Sequence, residues 1–287
     1  MSYILSLIYS YYFPVKSIVI YFVISKFFFS SQSKIQSIEK LILSSIYHAF
    51  LLYIQILYMR ILANEDSVNV SQFSRKPVYY KIKHIEDLNP FIKEELYIKK
   101  KKMNKFCHYC DTYKPPRSQH CNKCNKCYLK NHKHSKLFGC CICFQNYKFY
   151  LIFIIANFFL NIFIFVILSI INPYLIFAVI FELLYFVISI PFEISLVFNN
   201  ETLYEYNAIN DYMRGNIMSS DVFQEGFISN RMQSKDRAVL NPYNISSKDN
   251  LRQVFGSSFL GWINCDFTTE GDGLHFTKNY KSENIFD

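Results

Sequence analysis

Eight of the nine cysteines fall between residues 107 and 143, and their spacing is that of metal ligands. Cys107-x2-Cys110 is followed by His120-Cys121-x2-Cys124-x2-Cys127, then by His134 and Cys141. Two-residue gaps let both thiolates of a knuckle reach one ion, and zinc takes four such ligands tetrahedrally. Eight ligands suit two closed structural sites, in which the metal contributes folding energy and has no open position for Lewis-acid chemistry. The plainer alternative, surplus buried cysteines, needs an apolar core that so small and charged a segment lacks. Reactive-thiol chemistry is the other option for a cluster of this kind, and Asn131, His132, Lys133 and Ser135 lie among the ligands.

The elements that must position this cluster are apolar. The chain is 51% hydrophobic and 18% aromatic, unusual for a soluble protein. Residues 149 to 171 form 23 positions without a charge, enough to cross a bilayer as a helix. Residues 174 to 198 form a second block interrupted by Glu182, Pro191 and Glu193, and Asn172-Pro173 between the two reads as a tight turn. A third block covers residues 41 to 63, with His48, Gln55 and Arg60 as its polar exceptions. The first block lies within residues 3 to 30 and is broken by Pro14, Lys16 and Lys26. It is too long for a secretory signal, and no small-residue cleavage site follows.

Four transmembrane helices are therefore expected. Residues 1–63 would hold helices one and two, 64–148 a segment with the cysteine-rich core at 105–146, 149–198 helices three and four, and 199–287 a tail. The 64–148 segment carries 18 Lys and Arg against 7 Asp and Glu, which places it in the cytosol together with both termini. Disulfides are disfavoured in that compartment, leaving metal or thiol chemistry. The net charge of +9 needs no nucleic acid to explain it. The lysine run at 99–102 reads as a solvated face beside anionic lipid, or as an attractor for a phosphorylated cofactor.

The run CHYCDTYKPPRSQHCNKCNKC between spans resembles the cysteine-rich domain of the DHHC family of protein S-acyltransferases, the palmitoyltransferases. NETLYE at 200–205 is similar to the family's N-x-T-T-x-E, with Leu203 in place of the second threonine. NPYNISSKDNLRQVFG at 241–256 and GDGLHF at 271–276, after Trp262, resemble its C-terminal motifs. The resemblance implies an α-helical multipass membrane protein with a cytosolic two-zinc domain of short β-hairpins and loops. It assigns one zinc to Cys107, Cys110, His120 and Cys127 and the other to Cys121, Cys124, His134 and Cys141. It also makes Asn200, Thr202, Glu205, Asn241 and Asn250 structural motif positions, and Lys114 to Arg117 the family's basic proline-rich turn. Palmitoyl-CoA is the implied acyl donor, protein cysteines the acceptors, and the Golgi or endoplasmic reticulum the implied membrane.

In the family the cysteine of an Asp-His-His-Cys tetrad attacks the acyl thioester, the first His acts as base, and the Asp orients that His. Without a gap the tetrad falls on His132, Lys133, His134 and Ser135. A thiolate is a strong nucleophile, whereas a serine hydroxyl needs an effective base. A lysine in the base position is ordinarily protonated at neutral pH and cannot accept a proton. A serine oxyester would also be a poor acyl donor to a protein thiol. The expectation is a degenerate member that acts by binding acyl chains or proteins, and the alternative is a working S-acyltransferase with an atypical nucleophile. Three variants of that alternative exist: Asn131-His132 shifted to orienter and base with Lys133 inserted, Cys140 or Cys143 as the thiol, or a desolvated Lys133 as base to Ser135.

Three more residues have weaker claims. Glu182 lies inside a span, where a carboxylate faces a partner such as His48 or an acyl tunnel. Glu193 reads as interfacial with no special role, and Cys265 as an isolated, unreactive thiol.

Overall fold

The structure is a computed structural model that describes residues 34–64, 106–107, 109–110, 112–171, 174, 176–215 and 237–279, together with residue 22. Among the described residues, three helices are long and apolar enough to cross a membrane. They are α1 (Lys34–Ala63), α2 (Tyr147–Ile171) and α3 (Ile176–Phe198). The fourth expected span, within residues 3 to 30, lies outside the described residues apart from Phe22.

α2 is the central helix and packs against both α1 and α3. Its polar residues are satisfied locally: Asn157 Nδ2 donates to Phe153 O and Asn161 Nδ2 to Asn157 O, each at 2.8 Å, so both amides are buried without breaking the bundle.

Between α1 and α2 the chain forms three two-stranded antiparallel ribbons. They are β1 (Phe106–Cys107) with β2 (Thr112–Tyr113), β3 (Gln119–Cys121) with β4 (Lys126–Tyr128), and β5 (Lys133–Ser135) with β6 (Cys140–Ile142). Ribbons this short are not stable alone. Directly opposed residues share a face, so the pairings His120 with Cys127 and His134 with Cys141 put two ligands of each cluster side by side.

After α3 come α4 (Leu203–Met213), α5 (Arg237–Leu240), α6 (Ser247–Phe255) and α7 (Phe259–Ile263). α4 starts in a capping box: Thr202 Oγ1 accepts from the Glu205 N–H while Glu205 Oε2 accepts from the Thr202 N–H. Two tail asparagines close the C-terminus of α3, whose last carbonyls lack helical partners. Asn250 Nδ2 donates to Phe198 O and Asn241 Nδ2 to Asn199 O, each at 2.6 Å. α6 ends at Gly256, whose φ of 85° and close approach to Thr268 O, 2.7 Å from where a Cβ would lie, leave room for glycine alone. The tail returns to the membrane helices through Lys148, whose Nζ donates to Asp266 O and Thr268 Oγ1 at 2.7 Å, and through Tyr53 OH, which donates to Ile263 O.

Asn146 joins these parts at the start of α2. It is fully buried, its Nδ2 donates to Ile61 O in the last turn of α1 and to Cys141 O in β6, and its Oδ1 accepts from the Cys143 N–H. Asn146→Ala would strand two carbonyls and one N–H in the interior, each worth about 1–3 kcal/mol. Thermal unfolding of the purified protein in detergent should show a loss of about 3 kcal/mol or more, against a near-neutral Asn122→Ala at an exposed position.

Candidate functional site

The eight sulfur and nitrogen ligands converge into two clusters, Cys107, Cys110, His120 and Cys127, and Cys121, Cys124, His134 and Cys141, with the ligand atoms of each within 4.8 Å of one another. In the first, His120 Nδ1 lies 3.5, 3.2 and 3.8 Å from the sulfurs of Cys107, Cys110 and Cys127. In the second, His134 Nδ1 lies 3.6, 3.3 and 3.8 Å from Cys121, Cys124 and Cys141, and Cys124 Sγ is 3.7 Å from Cys141 Sγ. A tetrahedral zinc with Zn–S about 2.3 Å and Zn–N about 2.0 Å has S···N edges of about 3.5 Å and S···S edges of about 3.8 Å. Both clusters fit a structural zinc ion, held through Nδ1 of each histidine.

A buried ionic hub attaches this module to the end of α3. Arg117 Nε and Nη2 bind Glu205 Oε1 and Oε2 at 2.8 and 2.7 Å, while Nη1 and Nη2 donate to the side-chain and backbone oxygens of Asn200 at 3.0 and 2.8 Å. The guanidinium carbon stands 4.4 Å from the Tyr243 ring centroid and 5.0 Å from that of Phe276. Arg117 and Asn200 both have left-handed backbones, with φ of 63° and 48°, so each end of the contact is in a sparsely populated conformation that the burial holds. Burial pushes the Glu205 carboxyl up, but the Arg117 charge, together with hydrogen bonds from Arg117 and the Thr202 N–H, outweighs it and holds the carboxyl below the usual carboxylate range. Lys130 donates to Asn200 Oδ1 at 3.2 Å, and burial beside Arg117 brings its pKa down to about 7.

The tetrad positions lie on and beside β5. His132 is buried, its Nδ1 accepts from the Leu203 N–H at 3.2 Å, and its Nε2 lies 3.0 Å from Glu193 Oε2 without an aligned N–H···O geometry. Burial holds the His132 pKa below its ordinary value although Glu193 pulls it upward. Lys133 Nζ donates to Glu193 Oε1 at 2.5 Å and to Tyr150 OH at 2.8 Å, and Tyr150 OH also donates to Glu193 Oε1 at 3.0 Å. Ser135 is buried, and no side chain among the described residues hydrogen-bonds its hydroxyl. His134 is turned to the opposite face, among the metal ligands.

Several sequence expectations change here. Glu193, expected to be interfacial and without a role, is buried to 2% exposure and sits between His132, Lys133 and Tyr150. A carboxylate inside an apolar span was the signal for it, and that signal had been attached to Glu182. Asn131 does not orient His132: its Nδ2 donates to Gln119 O at 3.3 Å and its Oδ1 is buried without a partner. The β5–β6 register runs without a bulge through Lys133, His134 and Ser135. Cys265 is half-buried against the membrane-helix core, and burial pushes its thiol pKa up, as suits an unreactive thiol.

A family model for DHHC palmitoyltransferase matches residues 100–178, which include both metal clusters, the tetrad positions and the whole of α2. Residues 100–178 thus carry a DHHC palmitoyltransferase domain, and several palmitoyltransferases are similar to this chain. Palmitoyltransferase PFA3 of Kluyveromyces lactis is 41% identical over 59 residues, 21% of this chain and 18% of that protein. Longer matches run to the probable protein S-acyltransferase 13 of Arabidopsis thaliana, 26% identical over 62% of this chain and 60% of the relative, and to palmitoyltransferase ZDHHC2 of Mus musculus, 26% identical over 60% and 46%. The chain thus spans 60% or less of the length of these relatives.

Zinc analysis of the purified protein should give two ions per chain. Cys127→Ser should remove at least one and lower the melting temperature sharply, since a structural zinc contributes on the order of 10 kcal/mol to folding. Cys143→Ser, outside both clusters, should retain both ions.

Proposed function

We propose that this chain is a degenerate palmitoyltransferase-family protein, one that holds acyl chains or protein partners within an inherited fold and does not pass acyl groups to protein thiols by the tetrad route. The observation that carries this reading is that, among the described residues, no free base stands beside Ser135. A neutral imidazole can take a proton only at its unprotonated nitrogen, and the Nδ1 lone pair of His132 already accepts from the Leu203 N–H. Lys133 stands at the base position with its Nζ donating to Glu193 Oε1 and Tyr150 OH. The lysine-base variant is thereby disfavoured, because its Nζ is directed to Glu193 and Tyr150.

Around this centre the zinc clusters and the Arg117 hub are intact, so the parts that shape the domain are kept while the reacting groups are replaced. The membrane spans support a bilayer-embedded protein, and the excess of Lys and Arg between residues 64 and 148 supports a cytosolic zinc module and cytosolic termini. An intracellular membrane of the Golgi or endoplasmic reticulum is the setting proposed, with acyl-CoA or an acyl chain as ligand.

The test is turnover. Purified protein with palmitoyl-CoA and a cysteine-bearing acceptor peptide should release CoA no faster than a protein-free blank. The triple substitution His132→Asp, Lys133→His and Ser135→Cys should restore acylation at residue 135 and raise release by about a hundredfold, the scale of a positioned base. Multiple turnovers onto the peptide by the unaltered protein would overturn the reading.

A further inference from the structure

A cleft of about 440 Å³ lies where the zinc module, α6 and the tail meet, and neither a tetrad position nor a metal ligand lines it. Lys130 and Phe144 come from the module, Arg252 and Gln253 from α6, and Glu270 and Phe276 from the tail. The backbone ties these walls together. The Glu270 N–H donates to Gln253 O at 3.2 Å, and Gly273, with φ of 73°, lies so close to Phe144 that a Cβ there would stand 2.9 Å from the ring. The volume is that of a small-molecule site.

Donors outnumber their partners on the inner side of the cleft. Lys130 is 7% exposed, and among the described residues its amine makes one hydrogen bond, to Asn200 Oδ1, with the Phe276 ring centroid 5.9 Å away. No carboxylate among the described residues forms an ion pair with it, and burial beside Arg117 brings its pKa down to about 7. A buried ammonium with two N–H bonds left over is under-compensated, and an anion supplies what it lacks. Gln253 Oε1 accepts from the other end of the same amide, Asn200 Nδ2, at 2.9 Å, which leaves Gln253 Nε2 as a further donor beside Lys130. Arg252 is exposed at the mouth and has no ion pair among the described residues. Two carboxylates, Asp249 and Glu270, share that mouth, and Asp249 already accepts from a hydroxyl, Ser246 Oγ, at 2.7 Å. Carboxylates so placed repel a bare inorganic anion and accept hydrogen bonds from hydroxyl groups. The ligand must therefore carry both an anion and hydroxyls, on a body that suits the apolar walls of Phe144 and Phe276.

We propose that this cleft binds a phosphorylated polyol, a sugar or inositol phosphate whose phosphate meets Lys130, Gln253 and Arg252 and whose hydroxyls meet Asp249 and Glu270. A phosphate monoester offers the charge and the several acceptor oxygens that an ammonium, an amide and a guanidinium can share. The hydroxyls turn the two carboxylates from a source of repulsion into contacts. The bound ester bridges the zinc module, α6 and the tail through residues that also hold Asn200, the partner of Arg117. Occupancy therefore strengthens the docking of the tail on the module without touching the tetrad positions. The same chemistry can come from a soluble ester or from the headgroup of an inositol phospholipid in the bilayer.

Isothermal titration of the full-length protein in detergent would compare inositol monophosphate with inorganic phosphate. The ester should bind saturably and about tenfold or more tighter than inorganic phosphate, and Lys130→Met and Arg252→Gln should each weaken it about tenfold, the loss of one charge-assisted contact. Glu270→Gln should narrow the preference for the ester to about threefold or less, which a merely structural role would not do. Zinc content of two ions per chain certifies each variant as folded. Hydrogen exchange over residues 245–277, measured in nanodiscs, separates the two sources. Protection by the soluble ester in nanodiscs lacking phosphoinositide assigns a soluble ligand, protection only in nanodiscs carrying phosphatidylinositol monophosphate assigns the lipid headgroup, and either supports the site. The proposal is overturned by no binding from either source on protein that retains both zinc ions, by binding that neither Lys130→Met nor Arg252→Gln changes, or by no preference for the ester over inorganic phosphate. Stronger competition by acyl-free CoA than by inositol monophosphate itself also overturns it, because the cleft would then belong to the nucleotide.

Discussion

A guanidinium with no solvent exposure is the contact on which the arrangement of this protein depends. The cysteine-rich module has ribbons of two or three residues and no apolar core of its own, so zinc can fold it but cannot orient it. Arg117 supplies the orientation, because its planar fork matches a carboxylate in one geometry only and its remaining donors are taken by Asn200. Breaking such a pair leaves an uncompensated buried charge, which costs about 3–5 kcal/mol. The same contact fixes α4, since Glu205 is at once the partner of Arg117 and the closing residue of the α4 capping box. The N–H that occupies His132 belongs to the first residue of that helix. The electrostatics of the tetrad region are therefore set from a hub on the other side of the module.

The region around β5 is also a redistribution of charge. In the family pattern an acid precedes a base on one strand. Here the two positions carry His132 and Lys133, both basic, and the compensating carboxylate comes from α3 as Glu193. A carboxylate inside a membrane span is costly unless it is paired, and two basic side chains beside apolar helices are costly for the same reason. Each therefore stabilises the other, and the result is a cross-link between the zinc module and the membrane helix. Within that cross-link Lys133 Nζ, Tyr150 OH and Glu193 Oε1 are engaged in holding the contact.

Much of this was legible in the sequence. Hydropathy located the α1, α2 and α3 spans, and ligand spacing together with family resemblance gathered the eight residues that cluster in space. Both signals are local, arising from runs and gaps of a few residues. Glu193 was misread for the opposite reason. Its partners lie about 60 positions away, and nothing in the apolar sequence around it indicates which face of α3 it occupies. The contacts of Asn146 and Lys148 were illegible likewise, as both serve carbonyls from elements distant in the chain. The motif asparagines Asn241 and Asn250 were recognisable as positions but not as what they are, the donors that close the last turn of α3.

The hairpin ties what lies on one of its faces to the ligands on the other. A metal site on one face of a two-stranded ribbon fixes the opposite face as strictly as its own, because side chains alternate and the register cannot slip without carrying a ligand out of the cluster. The zinc ligands His134 and Cys141 thus determine that residues 135 and 140 lie side by side toward the membrane helices, whatever their identities. The position that carries Ser135 is therefore fixed by the metal-ligand face behind it, and its surroundings follow from the register and not from the residue that occupies it.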